Sequence, residues 1–387
     1  MEPLYKDAKK LVAAVNLIIP RRSNMAPLPT AFHNHYNNNN VASYTKCTKI
    51  FWGLVLILTL FNSSSDGSGA TVKSLPGFPG ELPFVLQTGY ISVNDSELFY
   101  YFIESQGNPQ EDPLFLWLTG GPGCSSLSGI FYEIGPLELD IHNYIGGLPK
   151  LLYYPYAWTK TASIIFLDSP VGTGFSYSTT EQGWPTSDSK SADQAYQFLI
   201  KWLDENPKYL LNQLFIGGDS YSGIIVPLVT KKIVQGNEAG LKPHLNLLGY
   251  LLGSPTTDEF LNSNSKISFA HRTALISDKL YEKLKSTCND NYVDIDPTNL
   301  ECVTAIAQYE KCVEDIFTNA ILEPNCVFAS PHHQEHTHQR ATQETSSDFI
   351  FSPPRIPDLW CRNFNYVLSY MWANDDNVQE ALHVRKD

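Results

Sequence analysis

The segment LFIGGDSYSG (214–223) constrains the fold of this chain more than any other. An apolar run passes through two glycines into a short polar turn centred on Ser220, and an apolar segment of helical length follows. This order is typical of a serine at a sharp strand-to-helix bend, where Gly218 relieves crowding before the serine and Ser222 and Gly223 relieve it afterwards. The motif here is G-x-S-x-S-G, which has a serine at the position of the second glycine in the common G-x-S-x-G motif. A plain turn that caps a helix is the alternative interpretation.

Segments on both sides of this bend alternate between strand and helix patterns. FVLQTGYISV, ELFYYFIES and PLFLWLT are rich in aromatic and β-branched residues and predict strands. SIIFLDSP, QLFIGG and LNLLGYLLGS predict three further strands, and two helices are predicted between them, over 191–207 and in SYSGIIVPLVTKKIV. The sequence therefore predicts an α/β fold with a central mixed or parallel sheet and crossover helices.

A serine hydroxyl at such a bend is a weak nucleophile unless neighbouring groups activate it. It requires a base within hydrogen-bond reach, a group that orients the base, and donors for the developing oxyanion. In WLTGGPGCSSLSGIFYEIGPL (117–137), a predicted strand ends in Gly120 and Gly121, whose backbone N–H groups can face outward with no Cβ in the way. In hydrolases of this architecture, the oxyanion donors are the amide after the nucleophile and an amide from an earlier strand-end loop. Here these are the amides of Tyr221 and Gly121; a tight turn before a helix is the alternative.

Composition narrows the classes of partner. The net charge is −13, and the sequence has no basic cluster that would form a face for nucleic acid, so no nucleic-acid partner is expected. Apolar residues make up 43% of the chain and charged residues 17%, which permits a large buried core. Nothing in the sequence calls for a cofactor.

The N-terminal part contains a targeting segment. The run IFWGLVLILTLF (50–61) is uncharged, follows two lysines and is too short to cross a bilayer comfortably, as expected of a signal peptide. Cleavage is expected after about Ala70, which divides the chain into a leader (1–70) and a globular domain (71–387). A signal anchor is the alternative, and membrane contact is expected only through this segment. The protein is therefore expected to enter the secretory pathway.

The number of cysteines agrees with entry into the secretory pathway, which is oxidising. Cys47 lies in the leader, and the remaining six of the seven cysteines form an even set, which is typical of disulfides; buried free thiols are the alternative. Asn94, in the sequence NDS, is a candidate glycosylation site. The six cysteines are Cys124, Cys288, Cys302, Cys312, Cys326 and Cys361.

Residues 255–360 differ in character from the segments before them. Four cysteines cluster there, and the stretch 326–360 is polar, contains prolines and lacks a period, which predicts an insertion followed by an exposed loop. The loop contains several histidines, but it lacks cysteine or acidic ligands on a rigid frame, so a solvated loop is favoured over a metal site. These histidines are His332, His333, His336 and His338.

Five motifs, taken in order, resemble the serine carboxypeptidase family: WLTGGPGCSS, FLDSPVGTGFSYS, GGDSYSG, GYLLGSPTTD and ISFAHRTALISD. The resemblance covers 75–387. It implies an α/β-hydrolase fold, Ser220 as the nucleophile, the amides of Gly121 and Tyr221 as oxyanion donors, and vacuolar or extracellular delivery.

The same resemblance suggests how the cysteines pair. It suggests a Cys124–Cys361 disulfide and local bridges within the insertion. Within the insertion, Cys288–Cys302 and Cys312–Cys326 are favoured, although sequence alone does not fix the connectivity.

At two positions this chain has residues that differ from those typical of the peptidases of this family. Those enzymes typically have N-G-G-P-G and G-E-S-Y-A-G, in which the Asn and the Glu help to hold a peptide's terminal carboxylate. This chain has Thr119 before Gly120 and Asp219 before the serine. Glu133 matches the family's partner carboxylate for the elbow acid, and two crowded carboxyls are expected to share one proton. Together these four residues are the predicted substrate-binding set.

The motifs T-G-G-P-G and G-D-S-Y-S-G resemble those of the plant acyltransferase branch of the family. Its members move an acyl group from a 1-O-glucose ester to an alcohol acceptor through an acyl-serine intermediate. The resemblance therefore implies an acyl glucose ester and an alcohol as substrates. A serine-type carboxypeptidase acting on a peptide C-terminus is the alternative.

The other two members of the family's triad are not found in the printed sequence. The family places the Asp in a segment like S-G-D-x-D and the His in one like G-H-x-x-P, and none of the ten histidines follows a glycine. His271 matches a family position outside the triad, and His383 belongs to a helix pattern that precedes the expected Asp. The expectation is a chain that ends before these segments, with the C-terminal part of the sheet missing. A catalytically inactive form that lacks the triad Asp and His is the third alternative.

Overall fold

Short apolar runs form parallel neighbours at the centre of the sheet. In the computed structural model, which describes residues 69–318, 320–323 and 362–386, β4 (Leu114–Leu118) pairs in parallel with β7 (Ser163–Leu167) and with β9 (Leu214–Asp219). Every residue of β4 and β7 is buried. A parallel strand of this kind must be covered on both faces, which explains the continuous apolar pattern in the sequence.

The full sheet is mixed. Its strands follow the order β1-β2-β3-β7-β4-β9-β10, with β8 paired to β3; β1, β2, β3 and β7 pair in antiparallel fashion, and β9 and β10 are parallel. Two short strands form a separate antiparallel pair, β5 with β6. The predicted strands are all present. The remaining strands are β1 (Ala70–Val72), β2 (Leu86–Val93), β3 (Ser96–Ile103), β5 (Leu137–Leu139), β6 (Leu151–Tyr153), β8 (Tyr177–Ser178) and β10 (Leu247–Gly253).

Two long helices cover one face of the sheet. Helix α1 (Asp188–Glu205) begins at Ser187, whose side chain accepts a hydrogen bond from the Lys190 amide, and helix α2 (Ser222–Glu238) follows β9 directly. Their apolar sides pack on alternate residues of the central strands because successive strand side chains point to opposite faces. The buried cluster on this face includes Leu116, Leu118, Ile165, Phe198, Trp202, Val226 and Val229.

The opposite face is covered by elements distant in sequence. Helices α6 (Arg362–Ala373) and α7 (Asp376–Ala381) supply Leu368, Trp372 and Val378 to a cluster that contains Trp117 and Phe166. The Trp372 indole donates to the Pro76 carbonyl at 2.8 Å, and the Thr88 hydroxyl donates to the Leu382 carbonyl at 2.6 Å. These bonds satisfy buried polar atoms and fix the two helices against the β2 side of the sheet.

The described part of the insertion is helical and has a small apolar cluster of its own. It consists of α3 (Glu259–Arg272), α4 (Asp278–Cys288) and α5 (Leu300–Val313). A disulfide joins Cys288 to Cys302 and links α4 to α5, as favoured from the sequence. Neither Cys124 nor Cys312 forms a disulfide with another described residue, and their expected partners, Cys361 and Cys326, lie outside the described residues.

Several predictions from the sequence fall on residues that the structure does not describe. These are the leader, except for its last two residues, and the histidine-containing loop. Cleavage of the leader after about Ala70 stays a prediction. Asn94 is exposed in the turn between β2 and β3, so its side chain is accessible, and its glycosylation stays a prediction. Among the described residues, no helix is long and apolar enough to cross a membrane, and no cluster of side chains has the make-up of a metal site.

The disulfide gives a first prediction. It closes a loop with a sequence separation of 14 residues between two buried cysteines, so Cys302→Ser should lower the free energy of unfolding by about 3 kcal/mol. Urea unfolding measures the difference. Thr304→Ser, at an exposed position of the same helix, is the control and should change stability by less than about 0.5 kcal/mol. Equal stability of Cys302→Ser and the wild type would contradict the stabilising role of the disulfide.

Candidate active site

Ser220 occupies a strained turn between β9 and α2. Its φ is +51°, in the left-handed region that residues with a Cβ seldom adopt. Two backbone hydrogen bonds of 2.8 Å hold it there: the Ser220 amide donates to the Gly253 carbonyl, and the Thr256 amide donates to the Ser220 carbonyl. The side chain is exposed. The segment that follows β10 therefore fixes the backbone of the elbow while leaving the hydroxyl accessible.

Two glycines around the serine are required by close approach of other atoms. A Cβ at Gly218 would lie 2.4 Å from the Leu118 carbonyl oxygen, and one at Gly223 would lie 2.4 Å from the Thr256 carbonyl oxygen. Contacts this short with backbone cannot be relieved by a side-chain movement. The small residues seen in the sequence thus let the elbow pack between β4 and the segment after β10.

The glycine loop after β4 lies directly against this elbow. The Gly120 amide donates to Asp219 Oδ1 at 3.0 Å, and a Cβ at Gly120 would lie 2.7 Å from Ser220 Cβ and 2.9 Å from the Tyr221 nitrogen. Gly121 has φ +123°, which a residue with a Cβ rarely adopts. The structure therefore places Gly120, which directly precedes Gly121, against Ser220 and the Tyr221 amide. The catalytic role of the Gly121 and Tyr221 amides stays a prediction.

The side chains of Thr119 and Asp219 differ in their contacts. Thr119 is only 8% exposed, and its Oγ1 is buried and has no hydrogen-bond partner among the described residues. Asp219 uses Oδ1 to accept the Gly120 amide. Burial raises the pKa of Asp219, whereas the hydrogen bonds from the backbone amides of Gly120 and Asp219 itself lower it.

Glu133 and Asp219 interact as a pair of acids. Burial raises the pKa of Glu133 to about 7, and the Asp219 carboxylate acts in the same direction, whereas the hydrogen bond from Trp117 Nε1, 2.9 Å from Glu133 Oε2, lowers it. Burial also raises the pKa of the Cys124 thiol, and both carboxylates add to that effect. Crowded like charges disfavour double ionisation, and sharing of one proton by Glu133 and Asp219 stays a prediction.

Asp168 is a site residue that the sequence analysis did not identify. It follows β7 and is fully buried; its Oδ1 accepts the Ser125 hydroxyl at 2.8 Å and both the amide and the hydroxyl of Ser126, at 2.8 and 2.9 Å. Its Oδ2 accepts the Phe175 amide at 3.0 Å. The acid therefore anchors the far end of the glycine loop. The motif FLDSP placed it at a strand end, but its contacts depend on loops that are distant in sequence.

None of the described histidines forms a hydrogen bond with Ser220. His271 lies in the insertion, where its Nε2 is 2.7 Å from Asp278 Oδ1 and its ring stacks on Tyr281 with 4.0 Å between centroids. This position agrees with the structural role expected for His271. Among the described residues, the predicted site therefore consists of the serine, the two amides and the carboxyl pair, and no histidine is bonded to the serine.

The carboxyl pair gives a prediction for stability. Because the folded-state pKa of Glu133 lies above its ordinary value of 4.5, the folded state binds more protons than the unfolded state between about pH 4.5 and 7. The free energy of unfolding therefore falls as the pH rises through this window. Glu133→Gln keeps an acceptor for Trp117 and removes the titrating group, so the variant should lose about 1–3 kcal/mol less across the window than the wild type.

Urea unfolding at both ends of the window measures this difference. The matched control is Glu138→Gln, an acid-to-amide change on the neighbouring strand β5, which should keep the wild-type pH dependence. Parallel pH curves for wild type and Glu133→Gln would contradict the assignment of the raised pKa to Glu133.

Comparison with known proteins agrees with this architecture. A family model for serine carboxypeptidases matches residues 76–387. Two similar relatives from Arabidopsis thaliana are serine carboxypeptidase-like 7, 46% identical over 336 residues, and serine carboxypeptidase-like 1, 47% identical over 338 residues. Each alignment covers 86% of this chain and 70% of the relative.

A similar solved structure is a prohormone-processing carboxypeptidase from Saccharomyces cerevisiae. Its TM-score is 0.55 at 19% identity, and the match covers 84% of this chain and 69% of that chain. At this identity the likeness concerns the fold alone, and it agrees with the mixed sheet and two helical layers, which form an α/β-hydrolase fold. The family match, together with the identity to the plant relatives, shows that the chain belongs to the serine carboxypeptidase family.

Proposed function

We propose that this protein is an acyltransferase that moves an acyl group from a 1-O-glucose ester to an alcohol acceptor. Ser220 is the nucleophile, and the amides of Gly121 and Tyr221 bind the oxyanion. Family membership supports the coarser statement, a serine-dependent enzyme of the hydrolase type. The choice of an ester donor rests on the two departures from the peptidase pattern, Thr119 and Asp219.

The observation that carries the proposal is the hydrogen bond that engages Asp219 with the glycine loop. In the peptidases that the sequence resembles, the corresponding Asn and Glu help to hold a substrate carboxylate. Here the Thr119 hydroxyl is buried and Asp219 Oδ1 already accepts the Gly120 amide. An ionised Asp219 has no proton to donate to an incoming carboxylate and repels its charge, so a neutral ester is favoured over a peptide C-terminus at this position.

The reaction follows from the geometry of the elbow. Ser220 Oγ attacks the ester carbonyl, the two amides stabilise the oxyanion, and the bond to the sugar oxygen breaks, which leaves an acyl-serine and free glucose. The acceptor hydroxyl then attacks the acyl-serine, releasing the new ester and restoring the serine. The attacking groups give up their protons to a base and the leaving groups take them up; none of the described residues is assigned that role.

A carboxypeptidase is the second candidate, and the carboxyl pair favours it. When Glu133 is protonated, below its pKa of about 7, it can donate a hydrogen bond to a substrate carboxylate. A carboxypeptidase that used this donor would lose affinity for its substrate as the pH rises through that value.

Side-by-side assays separate the two candidates. The full chain is incubated with a 1-O-acyl glucose and an alcohol, and separately with an N-blocked dipeptide, and products are quantified by chromatography. We expect ester formation from the first mixture, and Ser220→Ala should lower it by at least about 10³-fold. Thr119→Asn combined with Asp219→Glu should shift the ratio of rates towards the dipeptide by about tenfold.

The control for this double substitution is Asp193→Glu, the same one-methylene extension on the exposed side of α1, which should leave the ratio unchanged. Faster release from the dipeptide than from the glucose ester in the wild-type chain would favour the carboxypeptidase. Absence of turnover on both substrates would contradict the acyltransferase and favour a chain that binds without reacting.

A further inference from the structure

The glycine loop, which carries Gly121, has little packing to hold it in place. Residues 121–124 are all exposed. On one side the loop faces a cavity of about 260 Å³, which Pro122 and Gly123 line together with Asp188. A segment with few buried contacts opens easily unless hydrogen bonds hold it. The position of the Gly121 amide therefore depends on directional bonds to the loop.

Two hydrogen bonds fix the first half of the loop. The Gly120 amide donates to Asp219 Oδ1 at 3.0 Å, and the Cys124 amide donates to the Gly120 carbonyl at 3.3 Å. The second bond closes a turn around Gly121. Both bonds involve Gly120, so they hold the turn at a single point. A second anchor is needed to fix the direction of the Gly121 amide.

Asp168 supplies the second anchor, at the other end of the loop. Its Oδ1 accepts the Ser126 amide and the hydroxyls of Ser125 and Ser126 at distances of 2.8 to 2.9 Å. The side chain is fully buried, so water does not compete for these bonds. Hydrogen bonds to a carboxylate are about twice as strong as bonds between neutral groups. The end of the loop is therefore held by three bonds to one oxygen atom.

A second loop, residues 171–176, holds the carboxyl group of Asp168 in place. The Phe175 amide donates to Asp168 Oδ2 at 3.0 Å, and the Ser176 hydroxyl donates to the Asp168 carbonyl at 2.7 Å. Gly174 has φ +54°, and a Cβ at this position would overlap Asp168 Oδ2. The loop 171–176 thus fits closely around the carboxyl group, and Asp168 connects this loop to the glycine loop.

From these contacts we infer that Asp168 is a positioning residue for the reaction at Ser220, because it fixes the end of the glycine loop and thereby keeps the Gly121 amide directed at the oxyanion. The inference rests on the oxyanion role proposed for Gly121. It goes beyond the proposed function, since it assigns a part in the reaction to a residue that acts through the loop. It applies to ester and peptide substrates alike, because attack on either carbonyl creates an oxyanion.

Two substitutions disturb this anchor in different ways. Both carboxylate oxygens of Asp168 accept a backbone amide, so either orientation of the side chain in Asp168→Asn sets its NH2 group against one of these amides. Gly174→Ala keeps the carboxyl group and displaces it. Gly172→Ala is the matched control in the same loop: Gly172 also has a positive φ, +88°, but its added Cβ would only contact Trp184 at 3.6 Å.

Hydrogen exchange measures the order of the loop in the full chain without requiring turnover. The reporters are the Gly120 and Cys124 amides, whose acceptors do not belong to Asp168. In Asp168→Asn and Gly174→Ala we expect these amides to exchange about tenfold faster than in the wild type, while α1 and α2 keep their wild-type rates. Gly172→Ala should keep wild-type exchange in the loop. Faster exchange throughout α1 and α2 as well would indicate a general loss of stability and overturn the positioning role.

The effects on kcat and KM test the consequence for the reaction. With a 1-O-acyl glucose and an alcohol, Asp168→Asn should lower kcat by about 10- to 100-fold and leave KM within about twofold, because the oxyanion forms only after attack. Asp112→Asn is the control. Asp112 also accepts a hydroxyl and an amide, from Ser105 at 2.6 Å and Asn108 at 2.8 Å, but it precedes β4 and so lies at the opposite end of that strand. It should leave both constants unchanged.

The outcomes separate this inference from the proposed function. Wild-type exchange in the loop of both variants, or a wild-type kcat despite faster exchange, would overturn the positioning role of Asp168 and leave the acyltransferase in place. Turnover of an N-blocked dipeptide alone would overturn the acyltransferase, and the same comparison of kcat is then made with the dipeptide. If the wild-type chain turns over neither substrate, the proposed function fails, and the exchange rates decide whether Asp168 holds the loop.

Discussion

The contact between the Gly120 amide and Asp219 Oδ1 is the constraint on which the site depends. Strands β4 and β9 are parallel neighbours whose last residues are in register, Leu118 opposite Gly218, so the two loops that follow them must emerge side by side. They can approach this closely only because Gly120 has no Cβ, which would otherwise lie 2.7 Å from Ser220 Cβ. The hydrogen bond of 3.0 Å then fixes their relative position.

One partly buried and one fully buried acid anchor the glycine loop at its two ends. Asp219 holds its start, and Asp168 holds its end through Ser125 and Ser126. Burial raises the pKa of each acid, and the amides and hydroxyls that donate to them act in the opposite direction. Most of the acceptor capacity of Asp168 is thereby used for structure. The loop that carries Gly121 is thus held by directional bonds, which suits donors that must be placed before the reaction starts.

The sequence predicted the elements well because their patterns are local. Continuous apolar runs predicted β4, β7 and β9, and the small residues around Ser220 predicted the elbow, whose φ of +51° agrees with that interpretation. The role of Asp168 was missed because its donors come from loops more than 40 positions before it and from Phe175 after it. The burial of the Thr119 hydroxyl and the shape of the cavity at Asp188 depend on how the helices pack on the sheet. This packing cannot be predicted from a local sequence pattern.

The strand before the glycine loop has neighbours on both faces of the sheet. Successive residues of β4 point to opposite faces, so Trp117 contacts Glu133 on one side while Leu118 packs in the cluster under α1 and α2 on the other. Burial and the Asp219 carboxylate raise the pKa of Glu133 to about 7, so Glu133 can donate a hydrogen bond to an anionic group below that pH and repels the group above it. Recognition of a neutral ester does not depend on this charge. The proposed acyltransferase should therefore lose less affinity for its donor than a carboxypeptidase would lose for its peptide as the pH rises through this value.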